Sequence, residues 1–164
     1  MLMALLTMLS CNSQKVDNST VSAIDMDRFL GRWYEIARFD HSFERDMEFT
    51  TADYSLNDNG KLTVTNRGIK GGKLKTSLGK AKLTEMPGLL RVSFFGPFYS
   101  DYRILKISDD YNMALVGSGS DRYLWVLSRN RTIPDEAKAM ILNEAASRGY
   151  KVCDLIWVRQ KVNP

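Results

Sequence analysis

Gly31-Arg32-Trp33-Tyr34-Glu35-Ile36-Ala37-Arg38, continued by Phe39-Asp40-His41-Ser42-Phe43-Glu44-Arg45, is dense in aromatic and branched residues that favour strands. It opens on a glycine, where a backbone turns sharply or comes close to another. Strict alternation places Trp33, Glu35 and Ala37 on one face and Tyr34, Ile36 and Arg38 on the other. Large and small side chains mixed on one face suit the interior of a narrowing barrel, and Ile36 on the opposite face implies a layer packed outside it.

The segments that follow alternate in the same way. Phe49 to Asn57 carries Thr50, Ala52, Tyr54 and Leu56 on one face, and Asn57-Asp58-Asn59-Gly60 is a hairpin turn. Lys61 to Ile69, Leu74 to Leu83 and Leu89 to Phe95 follow, separated by Gly71-Gly72 and Pro87-Gly88, and Gly96-Pro97 turns the chain again. Tyr99 to Ile107 and Met113 to Gly117 form a further hairpin across Ser108-Asp109-Asp110-Tyr111-Asn112, and Arg122 to Ser128 completes the meander. About eight strands with tight turns predict an all-β, antiparallel up-and-down barrel or sandwich. The period then changes. Pro134-Asp135-Glu136 opens a helix with Thr132 as its N-cap candidate, Ala137, Met140, Ile141 and Ala145 recur at helical spacing, and Gly149 ends it. Such a helix buries its apolar stripe on the outside of the sheet. Val152 to Val158 predicts one more strand, and Met26, Phe29 and Leu30 a short helical turn before the first.

The long opening run, Gly31-Arg32-Trp33-Tyr34 through Phe43, resembles the first sequence signature of the lipocalins, and its extension resembles that of their bacterial outer-membrane lipoprotein branch. Asp109-Asp110-Tyr111 before Ala114-Leu115-Val116 resembles the second signature, and Tyr123-Leu124-Trp125-Val126-Leu127-Ser128-Arg129 the third. The resemblance covers roughly residues 25 to 160. It implies an eight-stranded antiparallel barrel with a C-terminal helix packed outside and a ninth strand. It also implies that Arg129 lies over Trp33, next to Gly31, and closes one end of the barrel structurally. A guanidinium on an indole face contributes about 0.5–2 kcal/mol.

Met1 to Leu9 is almost wholly apolar and ends in Ser10-Cys11. That run is shorter than the roughly 20 residues that span a bilayer and has the length of a signal-peptide apolar region. Ser10-Cys11 is similar to the lipobox of bacterial lipoproteins, although Met8 stands where leucine is usual and no Lys or Arg precedes the run. The similarity implies cleavage before Cys11 and its acylation. Asn12, rather than aspartate, after the cysteine is the enteric pattern for the outer membrane. The expected organisation is therefore residues 1–11 as lipoprotein signal segment with Cys11 acylated, 12–24 as flexible tether and 25–164 as the folded domain. Several acyl chains hold a protein on a membrane stably. An acylated Cys11 leaves Cys153 unpaired; a free Cys11 thiol would allow a Cys11–Cys153 bridge in an oxidising compartment.

With 164 residues the chain has the length of one domain, enough for a core and a cavity. A net charge of +4 and a sequence pI near 9.1 are mildly basic, with the lysines spread along the sequence and no basic helix or stripe to bind nucleic acid. Parity along the strands gives an inward set of Ala37, Ala52, Tyr54, Val64, Ala81, Leu90, Val92, Phe94, Tyr102, Tyr123 and Trp125. This apolar and aromatic wall with a few hydroxyls fits an apolar ligand, and the small residues at 37, 52 and 81 favour a cavity. The resemblance implies a fatty acid or lysophospholipid as partner, bound, stored or carried at the cell envelope. Arg67 or Arg91 is a candidate for an anionic head group. An alternative is an envelope interaction module with a filled barrel. An enzyme or haem protein would have to use His41, the only histidine, which is expected in an exposed loop after the first strand. Enzymatic activity, a cofactor and a bound metal are not expected.

Overall fold

Alternation along the sequence becomes one continuous antiparallel ladder in the computed structural model, which describes residues 15–160. The strands are β1 (Gly31–Phe39), β2 (Glu48–Leu56), β3 (Leu62–Lys70), β4 (Lys73–Leu83), β5 (Leu89–Phe95), β6 (Phe98–Ile107), β7 (Met113–Gly117), β8 (Leu124–Ser128) and β9 (Leu155–Trp157). Neighbours in sequence pair from β1 through β8, and β8 pairs back with β1, so the eight strands close into a barrel with no free edge. β9 pairs with Ala37, Arg38 and Phe39 of β1 on the edge opposite β8, beyond the point where β1 leaves β2.

A four-residue helix, α1 (Met26–Phe29), lies before β1 with Asp25 as its N-cap, the carboxylate accepting from the Arg28 amide. It puts Phe29 and the following turn under the barrel. The longer helix, α2 (Asp135–Ser147), buries Ile141 and Ala145 against the outer wall. Its N-cap position is Pro134, not Thr132, and no side chain caps it.

Two apolar clusters result. The inner one contains Phe29, Trp33, Tyr54, Leu62, Val64 and Leu90 together with residues from β4 to β8, and the outer one joins α2 to Ile36, Phe39, Leu105 and Leu115. Ala37 belongs to the outer cluster, against expectation. The β1–β8 register slips between Glu35 and Ala37, where one extra residue bulges the strand. Ile36 and Ala37 therefore both face outward, and Arg38, expected outside, turns into the barrel.

Residues 15–24 are not a free tether. Val16 is buried in the outer cluster, the Val21 amide donates to the Ile104 carbonyl, and Thr20 Oγ1 donates to the Pro87 carbonyl. The folded unit thus begins before residue 25. Cys11 and the rest of the expected signal segment lie outside the described residues. Cys153 is an exposed free thiol.

Candidate ligand-binding site

The floor of the barrel is built around Trp33. Its indole Nε1 donates to the Phe29 carbonyl at 2.8 Å, and the Arg129 guanidinium lies 3.8 Å above the ring. Arg129 also donates to the carbonyls of Arg28, Phe29, Leu30 and Arg32. Arg28 and Phe29 are the last residues of α1, whose carbonyls have no partner within the helix, and one planar cation satisfies them together with those of Leu30 and Arg32. Gly31, at φ +93, brings the backbone within 3.5 Å of Arg129 Nη1, measured from the position a Cβ would take. Trp33, Arg129 and Gly31 thus stand together at the closed end, opposite the open one.

Above the floor, Tyr54 and Tyr102 reach across the interior and join their hydroxyls at 2.6 Å. Burial pushes both phenol pKa values up, so each keeps its proton. The wall around them is made by Ala52, Val64, Ala81, Leu90, Val92 and Phe94, all in or against the inner cluster. Gly79 is part of this wall. A Cβ there would stand 2.8 Å from the Phe94 ring and 2.9 Å from Val64 Cγ1, so its missing side chain makes room for Phe94.

Toward the mouth the lining changes from apolar to charged. Glu35, Arg38, His41 and Glu44 are all buried. Arg38 Nη1 donates to Glu35 Oε1 at 2.7 Å, and its Nη2 donates to the carbonyls of Glu44 and Met47. Trp125 Nε1 donates to Glu44 Oε2, which also lies 2.9 Å from His41 Nε2. His41 is only 7% exposed, a correction to its expected place on the surface. Its imidazole is stacked on Phe43 at 3.9 Å and walled by Tyr123 and Trp125, which themselves stack at 5.8 Å. Burial, helped by the nearby Glu44 charge and opposed by Arg38, raises the Glu35 carboxyl to about 8. Three polar atoms of the cluster, Arg38 Nε, His41 Nδ1 and His41 Nε2, are buried without a hydrogen bond, the last in ion-pair reach of Glu44 but outside hydrogen-bond geometry. Arg67 and Arg91, the expected head-group candidates, stand on the outer wall and pair with Asp53 and Asp101.

A family model described as a lipocalin-like domain matches residues 24–160. The chain belongs to the lipocalin family. It is 49% identical over 147 residues to the outer membrane lipoprotein Blc of Escherichia coli (strain K12), covering 87% of this chain and 82% of that protein. It is 38% identical over 146 residues to the protein of the same name in Vibrio cholerae, covering 86% and 85% of the two chains. Among solved structures, the cockroach allergen Per a 4 superposes with a TM-score of 0.73 at 22% identity, over 87% of this chain and 92% of that one, a likeness of fold.

In this lipocalin, nine of the eleven residues that strand parity put inside lie in or against the inner cluster; Ala37 faces outward, and Tyr123 precedes β8 and stacks on Trp125. Strand parity did not find the charged cluster. Glu35 shares the Trp33 face and was legible as inward, but Arg38 enters the interior only because of the bulge. His41 and Glu44 come from the loop between β1 and β2, where alternation says nothing.

Proposed function

We propose that this lipocalin binds the hydrocarbon chain of a membrane lipid, a fatty acid or a lysophospholipid, at the bacterial outer membrane, held there by acyl groups on Cys11. The observation that carries the reading is the change of lining within one barrel. Aliphatic and aromatic walls suit a hydrocarbon tail, and the Glu35–Arg38–His41–Glu44 group near the mouth suits a polar head. Each buried methylene contributes about 0.8 kcal/mol, so a chain of a dozen carbons offers on the order of 10 kcal/mol before the cost of association. That leaves micromolar binding or tighter. The unpartnered Arg38 Nε and His41 Nδ1 are donors or acceptors that a head group could satisfy. Ser10-Cys11, together with two similar proteins named as outer membrane lipoproteins, supports the anchor and the location.

The activity supported is binding rather than a reaction. His41 lies 2.9 Å from Glu44 Oε2, stacks on Phe43 and meets the tilted rings of Tyr123 and Trp125, contacts that fix an imidazole in place rather than set it against a nucleophile. A second reading draws on Phe29, Trp33, Tyr54 and Tyr102, which occupy the lower interior: a filled barrel serving as an envelope interaction module. Delipidated protein offered fatty acids and lysophospholipids separates the two in titration calorimetry and native mass spectrometry. The expected result is one bound lipid per chain at micromolar concentration or below. Uptake of neither class would overturn the proposal and favour the filled barrel.

A further inference from the structure

The outer wall beside the mouth carries a surface that lipid binding inside the barrel does not use. From Gly60 to Thr84 the chain has seven cations and no acidic residue. The β3–β4 hairpin folds this stretch back on itself about Gly71-Gly72, both at positive φ, so that Lys70 and Lys73 pair directly and Lys75 follows. Lysines that are spread along the sequence thereby meet at one tip. The same hairpin turns Leu74 and Leu78 outward, 64% and 69% exposed. The β4–β5 register sets Lys80 opposite Ser93, and carried on it sets Gly79 beside Phe94 and Leu78 beside Phe95. Phe95 in turn faces Phe98 across the β5–β6 turn, and both are 79% exposed. Two neighbouring hairpin tips at the open end thus display four large apolar side chains ringed by Lys70, Lys73, Lys75 and Lys80.

Exposed apolar groups of this size on one edge, rimmed by cations of one sign, match the interface of an anionic bilayer, where the rings enter the head-group layer and the ammonium groups meet phosphates. The rest of the rim is different. Asp40 and Asp46 stand in the loop between β1 and β2, and Glu48, opposite Ile69, faces Arg159 at 3.9 Å. Contact is therefore confined to the β3–β6 side. The chain also enters the barrel wall near the mouth, where Asn18 Nδ2 donates to the Ser118 carbonyl in the loop between β7 and β8. We infer that the β3–β4 and β5–β6 tips form a second, non-covalent membrane contact that docks on an anionic phospholipid surface and turns the barrel mouth toward it.

An environment-sensitive fluorophore on the full chain tests this, placed at Thr76→Cys on the β3–β4 hairpin or at Asp58→Cys in the floor turn, with Cys11→Ser and Cys153→Ser in both. With phosphatidylglycerol vesicles, the label at 76 is expected to brighten severalfold and shift to the blue, while the label at 58 stays unchanged. Phosphatidylcholine vesicles or molar salt should remove most of the response. Reversal of Lys70, Lys73 and Lys75 to glutamate is expected to lower vesicle partition at position 76 by at least about 100-fold, from the usual contribution of a lysine at an anionic surface. The thermal midpoint of the variant should be unchanged. An equal response at both labels, a response that survives charge reversal, no response at 76, or one that follows protein concentration as self-association would, each overturns the inference. Because the labels report on the outer wall, the outcome is independent of whether lipid enters the lumen.

Discussion

Glu35 shows how one buried carboxyl couples the site to pH. Arg38 supplies one fixed cation to a pocket that also holds Glu44 and His41, and burial favours keeping a proton on Glu35 up to about 8. In the unfolded chain the same carboxyl loses its proton near 4.5. Between those values the folded state holds a proton that the unfolded state has released, so this group's contribution to stability is full at low pH and is lost as pH rises through about 8. Urea unfolding of the wild type is expected to show stability falling from about pH 5 to pH 8 from this source. Glu35→Gln, which still accepts from Arg38, should flatten that slope; an unchanged slope would assign it to another group. The residue itself was legible as inward, since it shares the alternation of Trp33. Its environment was not, because the partners arrive through a bulge and a loop.

Among the elements, β1 carries the largest departure from simple alternation. Its first half pairs with β2 and its second half with β9, so the two barrel strands part above Tyr34. Gln160, just past β9, bridges the gap: its amide Nε2 donates to the Glu35 carbonyl at 2.8 Å and to the Thr50 carbonyl at 2.9 Å. Gln160→Ala strips both carbonyls of that partner and is expected to cost about 1–3 kcal/mol in chemical denaturation. Loss of stability without loss of the barrel's far-ultraviolet circular dichroism would mark the effect as local to the seam. Strand positions, turns and α2 were readable because each depends on local periodicity and turn chemistry. The division of β1, the packing of residues 15–24 and the role of Gln160 depend on which distant strand arrives alongside, and local pattern carries no record of that.

At the scale of the whole molecule, the proposed anchor and the docking edge act on the same object, and the anchor has its own test. The intact mass of the mature N-terminal peptide is expected to show cleavage before Cys11 and acyl groups on it, with Cys11→Ser abolishing both. A free Cys11 thiol, or a bridge from Cys11 to Cys153, would remove the anchor from the proposal. The closed sheet also has a consequence for biogenesis. β1 is made early, and β2 follows it at once, but its opposite edge waits for Leu124–Ser128 and the upper part of its β2 edge waits for Leu155–Trp157, both far along the chain. A ribosome or translocon that releases this polypeptide from its N-terminus therefore leaves both edges of the upper half of β1 incomplete, and open to a neighbour's strand, until Trp157 has emerged.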